Sequence, residues 1–240
     1  MAKRGSVKQQ VVKDEIERPA RSRKYTYHIL IVCEDENTEK YYFQRYADRF
    51  QNIWPNETVY LKAVGSGRKS LRVVRKPIEE RSILAEEAKK SVDMTWAVFD
   101  KDDLDKSEGN ARNFNKAFEL GKNEDVRIAY SNECFELWLL LYYCSVDVKG
   151  GPIPRSRLYE LLEAEIKKYN SDFVYAHGKN NVIDEILKTD NVNKAIKRAE
   201  YLDNWHSQNN HKPIEANPNT LVYKLVSELE SLLAYYSYNA

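Results

Sequence analysis

Tyr27-His28-Ile29-Leu30-Ile31-Val32-Cys33, running without a break into Glu34-Asp35-Glu36, decides the fold class. This almost unbroken apolar run does not alternate as a half-exposed strand would. It fits a strand covered on both faces, as in a parallel sheet. Thr58–Val64 (TVYLKAV), Thr95–Phe99 (TWAVF) and Val126–Tyr130 (VRIAY) read the same way. Helix-like stretches lie between and after them, at about 38–51, 70–91, 110–123 and 133–143. Pro77 is expected to break or kink the second, with Glu79 and Glu80 suited to the first turn of a restarted helix. Strand and helix in alternation are the signature of βαβ units, so the expectation is an α/β fold with a mostly parallel sheet flanked by helices.

Beyond Lys149–Pro154 (KGGPIP) the texture changes. No convincing strand follows, and apolar residues recur at helical spacing: Leu158, Leu161, Leu162 and Ile166; Val192, Ala195, Ile196, Ala199, Leu202 and Trp205; Leu221, Leu225, Leu229, Leu232 and Leu233. The Asn-rich stretch 203–219 reads as a loop or mobile insertion, and Asn219 or Thr220 as a helix N-cap. The expected organisation is a basic, aperiodic arm over 1–24, an α/β domain over 25–148 and a helical region over 149–240.

Net charge is +1, but the arm holds eight basic and three acidic residues, which leaves −4 on the remainder (30 basic, 34 acidic). Two readings of the arm stand level: a contact to phosphate backbone by counterion release, or a solvated tail. No stretch is apolar for long enough to span a bilayer, and the N-terminus lacks the apolar segment of a signal peptide. Three cysteines, an odd number, fit free thiols in a reducing compartment, so the expected location is cytoplasmic. His177, His206 and His211 have no Cys partners at zinc spacing, and His28 is expected to pack within the first strand.

In open parallel sheets ligands bind outside the carboxyl ends of the strands. The first strand ends in Glu34-Asp35-Glu36, with Glu39 just beyond; the third ends in Asp100-Lys101-Asp102-Asp103. The fourth runs into Ser131-Asn132, read as an N-cap, and then Glu136 within an apolar helix. If strands one and three are neighbours these acids converge, and a divalent cation, magnesium or manganese, would offset their repulsion. Each acid has a plainer alternative. Glu39 would serve the helix dipole, Glu36, Asp103, Asp105 and Glu108 would be solvated, and Glu136 would pair with an arginine. Gly65-Ser66-Gly67-Arg68-Lys69-Ser70 opens the second helix and could let backbone N–H groups meet a phosphate, with Arg68, Arg72 and Arg75 along one stripe. The spacing is not that of a Walker A loop. The binding candidates there are Ser66, Arg68, Lys69 and Arg72.

Four motifs in order carry a family resemblance: Cys33-Glu34-x-Glu36-x-Thr38-Glu39; Val98-Phe99-Asp100-x-Asp102; Ser131-Asn132-x-Cys134-Phe135-Glu136-Leu137-Trp138-Leu139-Leu140-Leu141; and Asn217-Pro218-x-Thr220-x-Val222-Tyr223-Lys224-Leu225-Val226. Together they resemble the RloB-like family over roughly residues 27 to 235. That family is considered similar to Toprim domains, the metal-binding module of topoisomerases, primases and certain nucleases. The resemblance implies a Toprim-like sheet, Glu34 as a general acid/base beside the metal, and Asp100 and Asp102 as metal ligands. Glu39 and Glu136 join them as candidate ligands. It also implies an antiviral setting with an AAA- or ABC-type ATPase partner. Two positions depart from the pattern: Asp35 stands where a glycine is usual, and Glu133 where a proline is usual.

The resulting expectation is a magnesium-dependent nuclease acting on DNA or RNA. The alternative is a non-catalytic module that binds metal or nucleotide and relays a signal to the ATPase. A phosphoacceptor domain is disfavoured, because no Lys directly follows the fourth strand run. Homo-oligomerisation is left open.

Overall fold

The computed structural model describes residues 27–53, 59–67, 70–88, 90–102 and 108–238. The basic arm, Arg68, Lys69, Asp103 and Asp105 therefore lie outside the described residues. The elements run β1 (Tyr27–Cys33), α1 (Thr38–Ile53), β2 (Val59–Gly65), α2 (Leu71–Ala88), β3 (Met94–Asp100), α3 (Glu108–Asn123), β4 (Arg127–Asn132) and α4 (Glu136–Leu140). They continue with α5 (Arg155–Lys167), α6 (Asn181–Leu187), α7 (Val192–Gln208), β5 (Asn219–Thr220) and α8 (Val222–Tyr238). The sheet order is β2-β1-β3-β4-β5, parallel throughout except for the β4–β5 pair. This is an α/β fold with a mostly parallel sheet, followed by a helical C-terminal region.

Strands β1 and β3 bury both faces almost end to end, and β4 does so in its second half, which explains their apolar runs. Side chains alternate across a strand. Ile29, Ile31, Cys33, Trp96 and Val98 enter one core with α1 and the C-terminal helices, while Leu30, Val32, Ala97 and Phe99 enter a second with α2 and α3. The first core draws on residues from Ile29 to Leu233. Within it α1 buries Tyr42, Phe43, Tyr46, Ala47 and Phe50. Helix α8 seals the rim of this packing, where Tyr46 Oη donates to Glu230 at 2.7 Å and Arg49 Nη1 reaches the same carboxylate at 2.6 Å.

Several expectations need correction. Pro77 does not break α2, which runs through it. Val73 and Val74 before it and Leu84 after it are all buried against the sheet. Packing on both sides outweighs the one backbone hydrogen bond that proline removes. Ser131 and Asn132 are not an N-cap but the end of β4. Ser131 Oγ lies 2.9 Å from Thr220 Oγ1, and Asn132 Nδ2 donates to the Ala216 carbonyl at 2.7 Å. The expected helix over 133–143 contracts to α4, and Leu137–Leu140 within it and Leu141 just after it are fully buried. Tighter turns follow, with the amides of Tyr142 and Tyr143 bonded three residues back. A strand does exist after Pro154, the short β5. The stretch 203–219 is neither loop nor insertion throughout: its start belongs to α7, and His206, Asn217 and Asn219 are buried. Thr220 Oγ1 does accept from the first amide of α8, that of Val222, at 3.2 Å. His28 is buried within β1. All three cysteines are free, Cys144 being half-buried. Among the described residues no helix is long and apolar enough to cross a membrane.

Candidate functional site

Strands β1 and β3 are neighbours, and the chain leaves them in opposite directions across the sheet. A crevice must open beyond their carboxyl ends at such a crossover. A cavity of about 320 Å³ lies there. Six carboxylates line it, Glu34, Asp35, Glu39, Asp100, Asp102 and Glu136, together with Arg155, His177, Thr38, Gly67 and Phe135. A larger groove of about 710 Å³ lies at the other end of β4, between Trp96, Lys122, Tyr223 and Glu228. It has no comparable cluster of acids and is the weaker candidate on chemistry.

The turn after β1 is shaped by side chains bonding backbone. Asp35 Oδ2 accepts from the Thr38 amide at 2.7 Å and Oδ1 from Asn37 at 3.1 Å. Glu39 Oε2 returns the favour to the Asp35 amide at 3.0 Å. Reciprocal capping of this kind fixes the start of α1. Both readings of Glu39 therefore meet in one residue: it serves the helix start and lines the cavity. Asp35, standing where a glycine is usual, makes the turn instead of disturbing it.

At the end of β3 and just beyond it, Asp100 and Asp102 line the same cavity. The Lys101 and Asp102 amides continue the ladder to the carbonyls of Ser131 and Glu133, at 2.9 and 3.0 Å. Asp102 takes a left-handed φ of 52°, a region aspartate tolerates better than most residues. Arg155, the first residue of α5, sets Nη2 against both acids, 3.3 Å from Asp100 Oδ2 and in direct contact with Asp102 Oδ1.

Among the described residues lining the cavity, one guanidinium does not balance six carboxylates. Burial pushes the Asp100 carboxyl well above its usual range, and Glu39, Glu136 and Glu34 push it the same way against Arg155. Burial and then Glu34 push Glu39 up as well, opposed by the Asp35 amide. Asp100 Oδ1 is buried with no hydrogen-bond partner. These oxygen donors suit a hard divalent cation such as magnesium. As the side chains stand, Arg155 supplies the compensating charge, and no three His, Cys, Asp or Glu among the described residues are drawn together to ligate an ion.

Among the described residues Glu136 has no arginine partner. Its Oε1 accepts a hydrogen bond from Tyr175 Oη and lies 4.0 Å from His177 Nδ1. Tyr159 Oη is 3.2 Å from His177 Nδ1 and 3.4 Å from Arg155 Nη1. Arg155, Tyr159, Tyr175 and His177 were not singled out as site residues by sequence reasoning. The only local signal was the Pro154-Arg155 helix start.

In the described part of the glycine loop, two backbone amides are already engaged. The amides of Ser66 and Gly67 donate to the Cys33 and Glu34 carbonyls, at 2.9 and 3.0 Å, and so extend the β1–β2 ladder. A Cβ on Gly65 would sit 2.5 Å from the Glu36 Cα, so the small residue is required by chain crossing. Ser66 and Arg72 do not line the cavity; Arg72 is exposed on α2.

A family model described as RloB-like protein matches residues 29–229. No curated protein and no solved structure matches the chain.

Proposed function

The chain belongs to the RloB-like family, and on that footing we propose that its carboxylate cavity is a magnesium-dependent centre hydrolysing phosphodiesters of DNA or RNA. One observation carries the reading: Asp100, at the crossover of the sheet, keeps a buried oxygen without a partner among acids that Arg155 alone does not neutralise. Keeping such a cluster charged costs stability, and a bound cation offsets that cost.

Asp100 and Asp102 would hold the metal, with Glu39 and Glu136 closing the acidic wall. A magnesium or manganese ion in this position supplies Lewis-acid activation of the phosphate and a more acidic water. Glu34, at the end of β1, would take the proton of the attacking water on a carboxylate oxygen. Arg155 would exchange the aspartates for the phosphate, to which a guanidinium is equally complementary. Tyr175 keeps Glu136 oriented. The antiviral setting, the AAA- or ABC-type ATPase partner and a cytoplasmic location are carried by the family resemblance and the free thiols.

A second reading has its own observation. Arg155 already sits on the aspartate pair, as it would in a module that relays a signal and never cuts. Incubating labelled single- and double-stranded DNA and RNA with magnesium or manganese separates the two. Metal-dependent cutting by the wild type and none by Asp100→Ala supports the nuclease. Cutting that survives the substitution refutes this site, and no cutting by either protein, with the ATPase added, favours the relay.

A further inference from the structure

Three rings stand near-parallel beside the cavity, which His177 among them lines. Tyr159 stacks on Tyr175 with centroids 4.7 Å apart and planes at 30°, and on His177 at 5.8 Å and 27°. Tyr159 is the middle ring, so His177 ends the stack. The two tyrosines have structural duties: Tyr175 bonds Glu136, and Tyr159 bonds both His177 and Arg155. His177 has little packing to explain it, since its side chain is 64% exposed. It is nevertheless held. The Lys179 amide bonds the Ala176 carbonyl at 3.1 Å, and Gly178 in third position has φ 74°. That is the pattern of a type II turn, in which the third residue needs glycine's freedom. His177 occupies the second position, ring parallel to Tyr159, and also lines the carboxylate cavity.

We propose that this stack is a nucleobase subsite, in which one unpaired base of a single-stranded nucleic acid lies on the outer face of His177 while the adjoining phosphate reaches the cavity. The phosphate half of this statement rests on the nuclease reading; the base half rests on the rings. Aromatic and imidazole faces take bases by stacking and tolerate any sequence, because every base has a π face. A base inside a duplex has no face to offer. The subsite therefore selects unpaired strands, and nothing in it reads sequence. Burial raises both tyrosine phenols, so they stay neutral and do not repel the phosphate.

The test is binding, read by the fluorescence of 2-aminopurine placed within a short single-stranded oligonucleotide, with calcium as the divalent ion. Wild-type protein should quench the fluorescence. His177→Ala should bind about 5- to 150-fold more weakly, the worth of one base–aromatic stack, and lose the quenching. His177→Phe should restore both. Equal affinity and quenching in wild type and His177→Ala would overturn the subsite. So would duplex bound as tightly as single strand, or quenching of the free 2-aminopurine nucleotide but not of the oligonucleotide. Cutting activity is not involved in the readout, so stacking without cleavage would refute the nuclease and keep the subsite, and cleavage without stacking the reverse.

Discussion

Replacing Asp100 with Asn removes one charge and almost no volume, and the structure dictates an unusual result. Asp100 is buried, repelled by Glu39, Glu136 and Glu34, and has one oxygen with no partner. An unsatisfied buried polar group costs about 1–3 kcal/mol, more when charged. The amide leaves that position just as unsatisfied but carries no charge, so what it relieves is burial of a charge among three repelling acids. That relief should stabilise the metal-free protein by about 1–3 kcal/mol, or about 2–12 °C in Tm at this size. Magnesium should reverse the order. At a hundredfold excess over Kd it stabilises the wild type by about 2.7 kcal/mol, about 5–11 °C, and Asp100→Asn far less. The pH dependence follows in sign. The folded state raises this carboxyl above its unfolded value, so it keeps the proton longer than the unfolded chain. Wild-type stability therefore declines as pH rises from the ordinary carboxylate range through the folded value, and the variant's declines less. Thermal unfolding in EDTA and then in magnesium reads all of this. A fall of Tm in EDTA matching about 3–5 kcal/mol would identify the Arg155 contact as a structural ion pair and refute the reasoning. Equal magnesium shifts in both proteins would put the ion elsewhere.

Tyr175→Phe strips Glu136 of its hydroxyl partner and should cost about 1–3 kcal/mol in urea unfolding, less in a Glu136→Gln background, where no buried charge is stranded. Tyr42 Oη lies 2.6 Å from Tyr142 Oη, and burial pushes its pKa up to about 12. Its contribution is complete below the unfolded value near 10 and is lost as pH rises through 12, on the order of 3 kcal/mol. Urea midpoints measured at pH 8 and above pH 11 should converge less steeply for Tyr42→Phe; identical slopes would sink this.

The central strands β1 and β3 were legible because double burial removes polar positions, and the shorter apolar runs of β2 and β4 beside intervening helices completed the βαβ pattern. The acids were legible because each follows a strand end directly, where a crevice has to open. What local pattern could not supply was the other wall of the cavity. Arg155 meets Asp102 across 53 positions and Tyr175 meets Glu136 across 39. Ser131 was misread for the same reason: its partner, Thr220, lies 89 residues on, in a strand too short to show any periodicity. At Gly65 and Gly67 the small residues have a second explanation that the sequence alone does not separate from anion binding, a close chain crossing with Glu36 against both glycines. Helix α6 escaped notice because it has only seven residues.

The bond between α1 and α8 also bears on how the molecule is made. Tyr46 and Arg49 wait for Glu230 across 184 and 181 residues. During synthesis, with N-terminal segments emerging first, Glu34, Asp100 and Asp102 leave the ribosome well before the rings that face them. The sheet and Phe135 cover most of the apolar side of α1 early, but its edge at Tyr46 and Arg49 stays open until α8 arrives. An interrupted chain ending before residue 222 would carry every acid of the cavity and the second core, but a first core still lacking Val222, Leu225, Val226, Leu229 and Leu233. Assembly of the centre is thereby tied to near-completion of translation.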